Sequence, residues 1–99
     1  MGAFHYGSPP VSFDLDDRTL AHVELVIMAK LRRRESLSFS IAHEDGTHRQ
    51  AVWIAPTVPL RFEYEGKMPE ISKAWLQDLV DTANSPGGLR IVPEPQPAQ

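Results

Sequence analysis

The sequence predicts an α+β fold, a mainly antiparallel sheet in the order ββαβββαβ with two amphipathic helices on one face. Three observations carry that prediction. From Asp14 to Arg34 apolar residues recur at spacings of three and four, the period of a helix. From Leu37 to Ile41, and again from Leu60 to Tyr64, they alternate with polar residues, the period of a strand. Glycine and proline clusters separate short segments, which favours hairpin connections. A chain of 99 residues fits one domain, placed at residues 1–92, with 93–99 as a flexible proline-rich tail.

The first two strands are read from Phe4 and Tyr6, then Val11 and Phe13, around the break Gly7-Ser8-Pro9-Pro10. A long helix follows from about Asp16 to Arg33, with Leu20, Val23, Ile27 and Leu31 as its stripe and Ala21, Val26 and Met28 widening it. Asp14, Asp16 and Asp17 suit its positive end, and Lys30, Arg32, Arg33 and Arg34 its negative end. Leu37, Phe39 and Ile41 alternate with Ser36, Ser38 and Ser40, giving a strand with one apolar and one hydroxyl face. That hydroxyl face either stays wet or meets another subunit.

The turn His43-Glu44-Asp45-Gly46-Thr47-His48 holds the Asp-Gly pair of tight hairpins, and Arg49 to Ala55 returns as a strand. Pro56 and Pro59 interrupt the ladder before Leu60, Phe62 and Tyr64 form the next strand. Pro69 is expected in the first turn of a second helix whose buried side carries Ile71, Trp75 and Leu79, with Leu76 and Ala83 as further candidates. Asn84 to Gly88 stops that helix, and Leu89 to Val92 is a last short strand. The tail from Pro93 to Gln99 should be extended and mobile.

Composition excludes several functions. There is no cysteine, hence no disulfide, thiolate metal site or cysteine nucleophile. No apolar run approaches the roughly 20 residues of a membrane span. The opening MGAFHYGSPP lacks the charged start and apolar core of a signal peptide, so a cytoplasmic location is expected. A net charge of −3 argues against generic polyanion binding and restricts any nucleic-acid contact to a local patch.

The pattern MGxFxYG, the block DDRTLAHVELVIMAKLRRRESLSFS, the segment WIAPTVPLRFEY and the ending WLQDL…ANSPGGLRIVPEP together resemble a set of small actinobacterial proteins of unknown function. Members of that set often carry the label "ATP-dependent DNA ligase". The resemblance spans nearly the whole chain and implies no established activity or site residues. The label implies a Lys-x-Asp-Gly motif, whose lysine amine attacks the α-phosphate of ATP. The nearest match is His43-Glu44-Asp45-Gly46, with histidine in the lysine's place, and no Gly-x-x-x-x-Gly-Lys-Ser/Thr loop occurs. No ligase activity is expected.

Each candidate site has a plainer role beside it. Lys30, Arg32, Arg33 and Arg34 form the basic cluster and are the nucleic-acid-binding candidates, with Arg49 and Arg61 as further cations; capping the helix and pairing with Glu35 is the plainer role. His43 and His48, with Asp45 or Glu44, could offer metal ligands, but a solvated turn is preferred and no metal is expected. His22 falls off the helix stripe, and neither it nor His5 has an identifiable acid partner. Ser36, Ser38 and Ser40 lie in no Gly-x-Ser-x-Gly elbow. Trp53, Trp75, Phe62 and Tyr64 could stack bases, but each falls on an apolar period and is expected in the core. The tail PEPQPAQ reads as a frayed end in preference to a proline-rich ligand.

The expectation is therefore a non-catalytic cytoplasmic interaction or accessory domain, with a protein partner or a second copy and no cofactor. A nucleic-acid-binding accessory role is the alternative.

Overall fold

The structure is a computed structural model that describes residues 1–42 and 49–95. The order is β1 (Gly2–Tyr6), β2 (Val11–Leu15), α1 (Asp17–Arg32), β3 (Leu37–Ala42), β4 (Arg49–Ile54), β5 (Leu60–Glu63), α2 (Lys73–Ala83) and β6 (Leu89–Arg90). Fold class and element order stand as read. The turn 43–48, with the HEDG match and both its histidines, lies outside the described residues, as do residues 96–99.

The strands divide between two three-stranded sheets, ordered β2-β1-β5 and β4-β3-β6. All pairings are antiparallel except β3 with β6, which run parallel. The division follows from Pro56 and Pro59. They end β4 and redirect the chain, so β5 joins β1 instead of extending the ladder beside β4. The Gly7 N–H donates to the Pro59 carbonyl at 2.9 Å and fixes that new alignment.

The inner faces of the sheets meet at Phe4, which is fully buried. Its ring lies against Tyr6, Phe13 and Phe62 with centroids 5.2 to 6.2 Å apart, and meets Phe39 of the other sheet edge-on at 5.9 Å. Helix α1 packs on β1 and α2, while α2 packs on β3 and β6. The predicted stripe of α1 is the buried one: Leu20, Val23 and Ile27 are inaccessible, and Ala21 and Val26 nearly so. Asp16 caps the helix by accepting from the Thr19 N–H at 3.3 Å.

Three expectations about side chains are corrected. Trp53 is 64% exposed, because Ile54 and Val52 occupy the inward positions of β4 and leave the odd residues facing out. His22 is fully buried in the face of α1 that α2 covers. The second helix begins at Lys73, not near Pro69, since the Ser72 hydroxyl accepts from the Trp75 N–H at 3.2 Å and sets the cap there. Ile71 precedes the helix and is exposed, whereas Trp75, Leu79 and Ala83 are buried as expected.

Candidate functional site

Helix α1 ties the second half of the chain to the core through its polar flank. Asp17 accepts from the Gly66 N–H at 2.8 Å. Arg18 grips Glu94 with two bonds of 2.8 and 2.7 Å and also donates to the Glu70 carbonyl. That bond holds the Glu94 carboxyl below its ordinary range. His22 uses both ring nitrogens: Nδ1 lies 2.7 Å from the Arg18 carbonyl and Nε2 accepts from the Ser72 N–H at 2.9 Å. A carbonyl only accepts and an amide only donates, so these partners assign the proton to Nδ1. The Tyr64 hydroxyl donates to Glu24, and burial first, then that bond, pushes the phenol well above its usual range. These contacts are structural.

The basic end of α1 presents a less uniform cluster than its sequence. Lys30 donates to Glu35 at 3.2 Å and to Asn84 at 2.6 Å, so its ammonium is engaged. Arg32, Arg33 and Arg34 are exposed. Arg33 and Lys30 also edge a shallow apolar groove between the helices, lined by Leu25, Val26, Leu76 and Val80. Arg49 and Arg61 sit on different sheets from one another. No group of three or more potential metal ligands occurs among the described residues.

On the outer face of the first sheet, His5 has the acid partner that the sequence concealed. Its Nε2 lies 2.8 Å from Glu63 Oε1 and its Nδ1 lies 2.7 Å from Ser12 Oγ. The His5 bond, with Arg61 nearby, holds the Glu63 carboxyl below its ordinary range. A carboxylate, an imidazole and a hydroxyl in a row make the triad of acyl-transfer enzymes, in which the imidazole takes the hydroxyl proton and the carboxylate holds the ring. Here the row lies across three strands of an open face with Glu63 59% exposed, where solvent screens the charges and competes for the hydroxyl. We read it as a cross-strand clamp.

The larger concavity is the mouth between the sheets. Tyr6, Val11 and Phe13 line it from β1 and β2; Gln50, Ala51, Val52 and Trp53 line it from β4, around a volume of about 480 Å³. Both β2 and β4 are edge strands, so the mouth lies between two open ladders. Val11 belongs to the inner-face register with Phe13 and Leu15, yet is 58% exposed because the second sheet does not reach over it. A tyrosine straps the gap. The Tyr6 hydroxyl donates to the Trp53 carbonyl at 2.6 Å and accepts from the Ala55 N–H at 3.2 Å. Two backbone groups that face away from β3, one in β4 and one just past its end, are thereby satisfied. The serine row borders this region: Ser38 and Ser40 are half-buried opposite Trp53 and Ala51, and Ser36 is exposed.

Sequence reasoning missed both the mouth and the His5 row. The signal for the mouth was the crowding of Val52, Trp53 and Ile54 in one strand, which cannot all face inward. No helix is long and apolar enough to cross a membrane among the described residues. Comparison with curated proteins and with solved structures returns no match. A family match covers residues 1–94, and by it the chain belongs to the family described as "Domain of unknown function (DUF7882)".

Proposed function

We propose that the domain is an interaction module without chemistry of its own, and that it captures an extended segment in the mouth between β2 and β4. The observation that carries this reading is the mouth itself: an apolar hollow of about 480 Å³ edged by Val11 and by a tryptophan that is 64% exposed. An incoming strand can bond to the free edge of β4 while its apolar side chains fill the hollow, the usual division between backbone affinity and side-chain specificity. Large exposed aromatics flanking a hollow are the anchors interfaces use most.

Trp53 reports on occupancy. Titrating extended hexapeptides with alternating apolar residues should give a saturable blue shift of its emission, with the buried Trp75 as a constant background. Val11→Asp should abolish the shift. No change up to millimolar peptide would count against the reading.

A second reading rests on the three exposed arginines, Arg32, Arg33 and Arg34, at the end of α1. Contacts there would be to phosphates, weak and salt-sensitive. Fluorescence anisotropy with labelled single- and double-stranded DNA at low salt, against the triple alanine variant, tests it directly. Absence of binding to either strand form retires it. For the inherited ligase label we expect no radioactive adduct after incubation with labelled ATP and a divalent metal, since no Lys-x-Asp-Gly is present.

A further inference from the structure

We propose that the occupant of the mouth is a second copy of the chain, paired β4 to β4 about a two-fold axis through Ala51. The inference rests on the strand-capture reading and specifies its partner and register.

Among the described residues, strand β4 pairs with β3 on one side only. The Tyr6 strap shows which backbone groups face the other way: the Trp53 carbonyl and the Ala55 N–H. Strand alternation puts the groups of Ala51 and Arg49 on that same edge. The edge is regular, because Arg49 to Ile54 pair one-to-one with Ala42 to Leu37 and no bulge or proline interrupts them.

Among two-fold pairings of this edge centred on an outward-facing residue, one register fits. A centre at Arg49 would set it against its own copy, like charge on like. A centre at Trp53 would require the Ala55 N–H, whose single hydrogen already goes to the Tyr6 hydroxyl. A centre at Ala51 brings two small side chains together and places each Arg49 opposite the partner's Trp53 on the outer face. That pair is a cation–π contact, formed twice by symmetry. Ala51 exchanges reciprocal backbone bonds with its copy, the Trp53 N–H meets the partner's Arg49 carbonyl, and the Trp53 carbonyl takes the partner's Arg49 N–H on the lone pair that the Tyr6 hydroxyl leaves. On the inner face Gln50 and Val52 of the two chains alternate across the seam, above Val11 and Phe13. The two mouths then close on one another, and Val11 and Trp53 lose their exposure together.

The chain has no cysteine, so an engineered thiol reports alone. Ala51→Cys is a small change at an exposed position. Under mild oxidation or with a short bis-maleimide it should cross-link into covalent dimers at micromolar concentration, while Arg61→Cys on the opposite sheet should stay single. Sedimentation should give twice the chain mass for the wild type. Trp53→Ala, which leaves the core untouched, should weaken association about tenfold or more, as loss of a central aromatic anchor does. A doubled mass without Ala51→Cys cross-linking would overturn the β4 seam. A single-chain mass at every concentration would overturn the dimer altogether; the peptide titration would then decide separately whether strand capture survives.

Discussion

Replacing His22 by phenylalanine tests whether this buried ring is a hydrogen-bonding bridge or only filler. The phenyl ring matches the imidazole roughly in shape, so contact with Trp75, whose ring centroid lies 4.5 Å away, is kept. Two bonds are lost, and they are not equal. The Arg18 carbonyl is inside α1 and keeps its helical partner. The Ser72 N–H loses the acceptor it has 2.9 Å away and stands unpaired at the cap of α2. An orphaned buried donor costs about 1–3 kcal/mol, so we expect a loss of about 2 kcal/mol. For a domain of this size that corresponds to a fall in Tm of about 8–16 °C. His22→Ala should cost more, about 3–4 kcal/mol, because a cavity beside Trp75 adds to the unpaired amide. Urea denaturation followed by far-ultraviolet circular dichroism measures both. A loss below about 0.5 kcal/mol for His22→Phe would refute the bridge, as would equal losses for the two variants.

Three further outcomes follow from the structure. Trp75→Ala removes a ring that is 5% exposed and whose Nε1 donates to the Val92 carbonyl at 2.8 Å; it should cost about 3–5 kcal/mol, whereas the exposed Trp53→Ala should stay within about 0.5 kcal/mol when both chains are compared as single copies, at concentrations below association. Gly88→Ala should destabilise by at least about 1–2 kcal/mol, since φ is +78° and the added methyl would stand 2.6 Å from the Ser38 carbonyl oxygen; an unchanged urea midpoint would show that β6 shifts freely. Glu94 is held below its ordinary range by Arg18, so its contribution is fully present above the unfolded carboxylate value of about 4.3 and is lost as pH falls through the depressed folded value. The gap in urea midpoint between wild type and Glu94→Gln should therefore be open at neutral pH and closed in strong acid, and a gap independent of pH would contradict the pairing.

Local elements were legible in the sequence because their causes are local. The stripe Leu20, Val23 and Ile27, an aspartate cap and cations in the last turn define α1 without reference to anything distant. The serine alternation likewise defined β3, and Pro56 and Pro59 marked the break between β4 and β5. What those prolines did to the sheet was not legible. Redirecting β5 to β1 depends on which ladder the chain meets next, and that choice is made by packing around Phe4. The bonds that build the site and its supports are long-range as well. His5 and Glu63 are 58 positions apart, His22 and Ser72 50, and Tyr6 and the Trp53 carbonyl 47. Periodicity assigns a side chain to a face but does not say what that face meets. It marked Trp53 as apolar and strand-borne, whereas its exposure follows from Val52 and Ile54 taking the inward positions and from the second sheet ending short of Val11. The sequence by itself thus determined the elements and their order, while the tertiary structure decided the two sheets, the open mouth between their edges and the partners of His5 and His22, because those depend on contacts between residues that no local period relates.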